Sequence, residues 1–440
     1  MSKIFINTMG CQMNVYDSMR ILDAMKHLGF EETQTPEDAD FLLINTCHIR
    51  EKATDKVFSE LGRFNKIKQA RKPKTTIIGL AGCVVQAFGK DILSQFPAVD
   101  IAVGPQSYHL LPELVTKFMQ KEGRQIEARF TSDEKFDSRP KANAKGPTAF
   151  LAIQEGCDHF CSYCVVPYTR GCEYSRSPEE ILEEAKILVD TGAKEIMLLG
   201  QNVDCYHGKD KQGREHSLAD LFHQIAEIDG LERLRYTTSY TTDITDEIIS
   251  AHRDIKKLMP YIHLPIQSGS NKILKSMNRK YTTEQYLEVI EKLRKARSDI
   301  AVSSDFIVGF PGETDEDFED TMRIVEQVKY AQSYSFKYSP RPGTPASLMK
   351  NQIDENLKLE RLQILQSALL ETQKNFNLAT VGKTVEVLFT ERGKLENQWN
   401  GYSPYLQNVH VTEKENLYGK ICCVKIVSAT ATSLSAELVR

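Results

Sequence analysis

No stretch of this 440-residue chain approaches the roughly 20 apolar residues that a membrane-spanning helix needs, so no membrane partner is expected. Its first residues, "MSKIFINTMGCQMNVYDS", lack the apolar core and small-residue cleavage site of a secretory signal, and the expected location is the cytoplasm. An excess of positive charge is missing too. The net charge of −4 offers no global attraction to nucleic acid, so an RNA partner would have to be met by local basic patches. In a reducing compartment ten cysteines are poor disulfide candidates and better metal or catalytic ones. One more absence is local. "EGCDHFCSYC" holds Cys157, Cys161 and Cys164, but no fourth cysteine follows at a matching spacing, and Cys172 is eight residues further on. A closed tetrahedral metal site needs four ligands. What remains, 41% hydrophobic and 26% charged residues, describes a soluble globular protein long enough for two or three domains.

The first 120 residues contain a recurring unit. "KIFINTMGC" ends at Cys11, "DFLLINTC" at Cys47 and "TTIIGLAGC" at Cys83, with successive cysteines 36 residues apart. Each is an apolar run of strand character, and helical patterns such as "VYDSMRILDAMKHLGF" lie between them. Alternation at this spacing implies βαβ units and a parallel sheet, which places strand C-terminal ends on one edge, where open α/β sheets bind ligands. Three cysteines from distant places would then converge. Any one alone reads as an ordinary buried residue; three at equivalent positions suit a three-thiolate iron–sulfur site.

Residues 131–147 have no periodicity and are rich in Lys, Pro, Ser and Asp, marking a linker. Six strand-like runs follow: "TAFLAIQEG", "EIMLLGQNV", "RLRYTTSY", "YIHLPIQSG", "AVSSDFIVGFPG" and "SYSFKYSPR". Helical stretches lie between most of them, and Ser177, Pro178 and two glutamates make a helix start. Six strand–helix units imply a partial parallel barrel, with chemistry at strand C-terminal ends. The three-cysteine loop follows the first strand and sits at that end. Three thiolates can hold three irons of a four-iron cluster and leave the fourth open.

The C-x3-C-x2-C spacing, with Tyr163 before the last cysteine, resembles the radical S-adenosylmethionine superfamily. The resemblance implies that the cofactor's methionyl group chelates the open iron and is cleaved to a 5′-deoxyadenosyl radical. It also implies S-adenosylmethionine contacts. "LLGQN", with Gly200, Gln201 and Asn202, resembles the stretch that meets the methionyl group, and "DFIVGFPGET", with Gly309 and Gly312, the loop near the adenine. Ser239 and Gln267 end the third and fourth strands and are expected in the same pocket.

A three-cysteine domain, a radical domain and a β-rich tail resemble the methylthiotransferases over the whole chain. "GCQMNVYDS", "NTCHIREKATDKVF" and "GCDHFCSYCVVPYTRG" look most like the MiaB-type tRNA branch. The branch acting on ribosomal protein differs where this chain has Gln12, Met13 and Asn14. This implies methylthiolation of carbon 2 of N6-isopentenyl-adenosine at position 37 of tRNA, with one S-adenosylmethionine as methyl donor and one as radical source. Two [4Fe-4S] clusters are implied, one on Cys157, Cys161 and Cys164, the other on Cys11, Cys47 and Cys83. The implied partners are a tRNA anticodon stem-loop, an external electron donor and a sulfur donor, acting on a monomer. Alternatives are another tRNA adenosine, a ribosomal protein side chain, or a non-catalytic metal-stabilised RNA-binding protein.

The expected divisions are residues 1–125, a linker at 126–147, a radical core at 148–376 and a small antiparallel β-barrel at 377–440. The resemblance implies that the last is a TRAM domain gripping RNA, although seven Lys and Arg against six Glu give it no strong charge. Trp399, Tyr402 and Tyr405 in "QWNGYSPYLQ" read equally as base-stacking rings or barrel packing. "GRFNKIKQARKPK" (62–74), with six basic and no acidic residues, and "SRPKANAKGP" are candidate RNA contacts. Cys172 and Cys205 are expected to be spectators, and Cys422 and Cys423 core residues of an apolar strand.

Overall fold

A computed structural model describes residues 2–47, 51–129 and 144–439, without the side chains of residues 51–55 and 90. Residues 130–143, the greater part of the expected linker, and residues 48–50 of the "NTCHIREKATDKVF" stretch lie outside the described residues. The chain divides into two compact units. One comprises Met1–Ala142, Gln154–Asp158 and Cys164–Arg176; the other comprises Asn143–Ile153, His159–Tyr163 and Ser177–Arg440.

In the first unit six strands form one parallel sheet: β1 (Ser2–Met9), β2 (Phe30–Glu32), β3 (Phe41–Thr46), β4 (Ile77–Gly82), β5 (Ile101–Val103) and β6 (Gln125–Glu127). Their order is β2-β1-β3-β4-β5-β6. FLLINT and IIGLAG are buried at every position, as parallel strands covered on both faces must be. Phe41 and Leu43 pack with Ile21, Met25 and Leu111 on one face. Leu42 and Ile44 pack with Val57, Leu61 and Phe64 on the other. β2, β5 and β6 are three residues long, too short for a periodicity to show in the sequence. The three cysteine-ending strands, β1, β3 and β4, are adjacent. Met9 lies opposite Thr46, and Thr46 opposite Gly82, so their C-terminal ends are level.

In the second unit all six expected runs become strands: Thr148–Ala152, Glu195–Leu199, Arg233–Tyr236, Tyr261–His263, Ala301–Val308 and Gln332–Lys337. They pair in parallel as two groups of three, the architecture of a partial (βα)6 barrel. Ser177 caps its helix by accepting from the Glu180 amide at 3.3 Å, with Pro178 in the first turn.

The chain ends in a closed five-stranded β-barrel: Thr384–Arg392, Gln398–Tyr402, Asn408–Thr412, Ile421–Ala429 and Leu434–Leu438. It is antiparallel except where Val409 and His410 pair in parallel with Leu434 and Ser435, which closes the cylinder. Trp399 is barrel core, 2% exposed, with its Nε1 donating to the Glu413 carbonyl, so it offers no stacking face. Tyr405 donates to Asp299 Oδ2 at 3.0 Å. Cys422 packs partly against the barrel core, whereas Cys423 points to the opposite side of the strand and is exposed, against expectation. Arg233 and Arg235, on the third strand of the radical core, are buried and donate to the carbonyls of Tyr402, Glu386, Pro404 and Ser403, seating the small barrel.

Candidate functional site

Cys11, Cys47 and Cys83 stand just past the ends of β1, β3 and β4. Helix α1 (Gln12–Lys26) begins directly after Cys11, and α2 (Cys83–Phe88) begins at Cys83. Gly82 makes the turn with φ +100°, and a Cβ there would lie 2.2 Å from the Thr46 carbonyl oxygen, so only glycine delivers Cys83 to this position. Cys11 is exposed, while Cys47 and Cys83 are buried. The thiols interact through the middle one. A hydrogen bond from Cys47, then the charge of Arg170, lower the Cys11 and Cys83 thiols to about 6. The same bonds, with burial, push Cys47 up. Cys11 and Cys83 are therefore predisposed to thiolate, the form that binds metal, while Cys47 holds its proton more firmly. Among the described residues no group of three His, Cys, Asp or Glu is arranged to hold a single metal ion.

A buried polar network surrounds these thiols. Asn14 Oδ1 accepts from both the amide and the thiol of Cys11 at 3.3 Å, and Asn14 Nδ2 donates to Asn45 Oδ1. Asn45 in turn donates to Ser18 Oγ and the Asn14 carbonyl, each at 2.9 Å. Arg170, 3% exposed, donates to Asp17 Oδ2 at 2.7 Å, Glu155 Oε1 at 2.9 Å and Cys83 Sγ at 3.4 Å. Sequence reasoning missed Arg170, Asp17, Glu155 and Asn45. A signal existed for Arg170, an arginine six residues after Cys164 in a stretch otherwise without charge.

The loop that carries the other three cysteines is irregular, and its segments are held separately within each unit. In the first unit, the Cys157 amide donates to the Gly171 carbonyl, and the Val166 amide donates to Cys164 Sγ at 3.4 Å. Gly156 packs so closely on the Cys172 carbonyl that a Cβ would come within 1.9 Å, which gives Cys172 a backbone part while its side chain is exposed. In the second unit, the Ser162 amide donates to the Met277 carbonyl, and Asn278 Nδ2 donates to the carbonyls of His159 and Phe160. Arg279 Nη1 is 3.7 Å from Cys161 Sγ, and its guanidinium lies over the Tyr240 ring. His159 stacks on Tyr240 at 3.7 Å, with Nε2 2.8 Å from Asp243 Oδ2.

The residues expected around S-adenosylmethionine all follow strand C-terminal ends. Gly200 and Gln201 come directly after Leu199, and both are half-buried. Asn202 instead braces the loop, its Nδ2 2.8 Å from His159 Nε2. Ser239 Oγ donates to Asp204 Oδ1, tying the third loop to the second. Asp204 is fully buried, and desolvation pushes its carboxyl up to about 8. Gln267 has φ +75°, a conformation uncommon outside glycine, and is held by backbone bonds to Asp305 and Ile307. The Gly309 amide donates to Glu313 Oε1. Gly312 follows in the same loop, its amide donating to the Asn351 carbonyl.

The basic run 62–74 is largely neutralised within the fold. Arg63 pairs with Glu60, Lys68 with Asp100, and Arg71 and Lys74 with Asp40. Most of "SRPKANAKGP" lies outside the described residues. Cys205 donates its thiol to the Asn202 carbonyl. No described helix is long and apolar enough to cross a membrane.

Residues 151–325 match the family model of the radical SAM superfamily, and residues 3–104 match that of the uncharacterized protein family UPF0004. A "tRNA-2-methylthio-N(6)-dimethylallyladenosine synthase" from Rickettsia bellii (strain RML369-C) is 52% identical over 100% of this chain and 99% of its own length. One of the same description from Rickettsia canadensis (strain McKiel) is 53% identical over 99% of both chains. Among solved structures, the radical S-adenosylmethionine methyltransferase TsrM from Kitasatospora setae, with cobalamin and a [4Fe-4S] cluster bound, aligns with a TM-score of 0.56 at 14% identity. That alignment covers 79% of this chain and 77% of that one. The cobalamin-dependent radical enzyme OxsB aligns with a TM-score of 0.53 at 12% identity, covering 82% of this chain and 56% of that one. At such identities the last two likenesses concern the fold alone.

Proposed function

The chain belongs to the tRNA-2-methylthio-N(6)-dimethylallyladenosine synthase family of radical SAM proteins, and from that premise we propose that it attaches a methylthio group to carbon 2 of N6-isopentenyl-adenosine at position 37 of tRNA. The observation that carries this reading beyond radical chemistry in general is the second thiol set, Cys11, Cys47 and Cys83, at the level ends of three adjacent strands. An aromatic C–H on adenine has no acidity that a side-chain base could exploit near neutral pH, so acid–base catalysis does not reach it.

The donor sets fit the groups this chemistry needs. Cys157, Cys161 and Cys164 offer three soft thiol ligands and leave one coordination position of a four-iron cluster open. Cys11, Cys47 and Cys83 offer three more, two of them inclined to thiolate. When bound, a [4Fe-4S] cluster on the loop cysteines and S-adenosylmethionine together supply the electron and the radical that remove hydrogen from carbon 2.

The chain's own residues orient and shield. Arg279 and Asn278 hold the loop around Cys161. Gly200, Gln201, Ser239, Gln267 and Gly309 line the strand ends where S-adenosylmethionine binds. Arg170, itself paired with Asp17 and Glu155, donates to Cys83 Sγ and would orient that ligand for the second cluster. Residues 1–125 present the sulfur, residues 148–376 generate the radical, and the barrel within 377–440 contributes to holding the tRNA anticodon stem-loop. The enzyme works as a monomer in the cytoplasm, with an external reductant and sulfur donor. The test is anaerobic incubation with dithionite, S-adenosylmethionine and an isopentenylated anticodon stem-loop, followed by mass spectrometry of the digested nucleosides. The methylthio nucleoside is expected. Formation of 5′-deoxyadenosine with no modified nucleoside would leave the radical chemistry standing and overturn the substrate.

A further inference from the structure

The part of the cysteine loop that belongs to the second unit, His159–Tyr163, is flanked by two stretches without a single acid. Residues 271–280, "NKILKSMNRK", hold Lys272, Lys275, Arg279 and Lys280, and residues 339–352, "SPRPGTPASLMKNQ", hold Arg341 and Lys350. In a chain of net charge −4 this is a local excess of positive charge. Both stretches lie directly against the loop. The Ser162 amide donates to the Met277 carbonyl, Ser162 Oγ donates to the Ser276 carbonyl, and Asn278 Nδ2 donates to the carbonyls of His159 and Phe160. From the other stretch, the Ala346 amide donates to the Ser162 carbonyl at 2.9 Å. Cys161 is 9% exposed, whereas Phe160, next to it in the chain, is 47% exposed.

The basic side chains divide by what they touch. Arg279 is buried beside Cys161, and Lys272 donates to Asp317 Oδ2 and the Gly312 carbonyl, so both hold the fold. The acid at the start of the next helix, Glu284, is engaged by Asn271. Lys275, Lys280 and Lys350 are exposed, and among the described residues their ammonium groups have no ion-pair partner. Leu348, two residues before Lys350, is 83% exposed, so the surface beside the loop joins free positive charge with apolar area.

We propose that this surface docks the external electron donor, a small acidic redox protein. The inference rests on the functional reading above, which requires one electron from outside. Electronic overlap decays steeply with distance, so a donor must settle where a cluster ligand lies close beneath the surface. The outer side of His159–Tyr163 is such a place, and its flanks supply the charge that an anionic partner needs. A few charges and a small contact suit a donor that must leave after each transfer. RNA is the other polyanion in the reaction, but its base must reach the reacting carbon of the cofactor, whereas these lysines flank the protein loop. In the transfer the donor's reduced centre is oxidised by one electron, and a [4Fe-4S] cluster on Cys157, Cys161 and Cys164 is reduced by it. The electron then breaks a carbon–sulfur bond of the S-adenosylmethionine sulfonium, releasing methionine and the 5′-deoxyadenosyl radical.

The test uses reconstituted holoenzyme, with flavodoxin, an acidic flavin protein, as the probe. Wild type is expected to bind oxidised flavodoxin at low salt, with affinity falling as salt screens the charges. The triple variant Lys275→Glu, Lys280→Glu, Lys350→Glu is expected to bind about tenfold or more weakly, the scale of electrostatic steering. Its 5′-deoxyadenosine formation should fall likewise with photoreduced flavodoxin, yet equal wild type with dithionite, which needs no docking. The variant Lys275→Arg, Lys280→Arg, Lys350→Arg should match wild type throughout. Unchanged flavodoxin affinity in the glutamate variant, or no binding by wild type, would overturn the proposal. So would an equal loss with dithionite, which would place the fault in the radical core. A loss of stem-loop affinity without a loss of flavodoxin binding would assign the lysines to RNA and overturn it too. If flavodoxin binding follows the lysines yet wild type never methylthiolates the stem-loop, the functional reading fails while the docking surface stands.

Discussion

The two cysteine sets are made by opposite means. Cys157, Cys161 and Cys164 lie within eight consecutive residues, so the covalent chain keeps them near one another in any fold. Cys11, Cys47 and Cys83 are 36 residues apart at each step and meet only because three parallel strands end at one level. The local set is legible as a motif, and its surroundings are mainly braces on an irregular loop. The assembled set depends on the register of a sheet, on a glycine turn at Gly82 and on a buried arginine. Disturbing the sheet should therefore damage the second set and spare the first.

The largest expected effect comes from removing each set. Changing Cys157, Cys161 and Cys164 together to Ala should abolish reductive cleavage of S-adenosylmethionine, read as 5′-deoxyadenosine. Changing Cys11, Cys47 and Cys83 should preserve cleavage and stop sulfur insertion; continued thiolation by that variant would refute the role assigned to the sheet set.

Next is Arg170→Gln. It leaves Asp17 and Glu155 buried without their cation, a loss of about 3–5 kcal/mol for a broken buried ion pair. Guanidinium unfolding should show an earlier transition, and an unchanged curve would mean that the network contributes nothing. Gly82→Ala should cost about 1–3 kcal/mol through its positive φ, with a further steric cost against Thr46. Iron analysis should find loss from the sheet set with cleavage activity retained.

The smallest effect concerns Asp204. Its folded pKa of about 8 lies above the ordinary carboxylate value, so the folded state binds the extra proton between about pH 4 and pH 8. Stability from this group is fully present below pH 4 and falls as pH rises through that window. Asp204→Asn should remove the decline, raising Tm by a few degrees more at pH 8 than at pH 5. An equal shift at both pH values would contradict the raised pKa.

Much of the fold was legible because parallel strands buried on both faces read as unbroken apolar runs. FLLINT, IIGLAG and EIMLL are such strands, whereas SKIFINTM and QSYSFK, which are mostly half-buried or exposed, read as strands from their β-prone residues. The three-residue strands β2, β5 and β6 left no pattern, because so short a segment has no period. Trp399 shows a different limit. Its sequence context, "QWNGY", allows either stacking or packing, and only the closed barrel decides for packing. The charge of the basic run 62–74 is likewise set by the fold: Asp40 and Asp100, which pair with Arg71, Lys74 and Lys68, come from elsewhere in the chain. Arg170 was hidden because an arginine after a cysteine loop looks like surface until the sheet brings Asp17 and Cys83 to it.

The most direct measurement is the iron and sulfide content of anaerobically reconstituted wild type and of the two triple-cysteine variants, with Mössbauer spectra to identify cluster type. The account predicts [4Fe-4S] signals throughout, with each triple variant retaining roughly half of the wild-type iron, as two independent three-thiolate sites require. Full iron retention when Cys11, Cys47 and Cys83 are changed would contradict it, because the sheet edge would then hold no cluster.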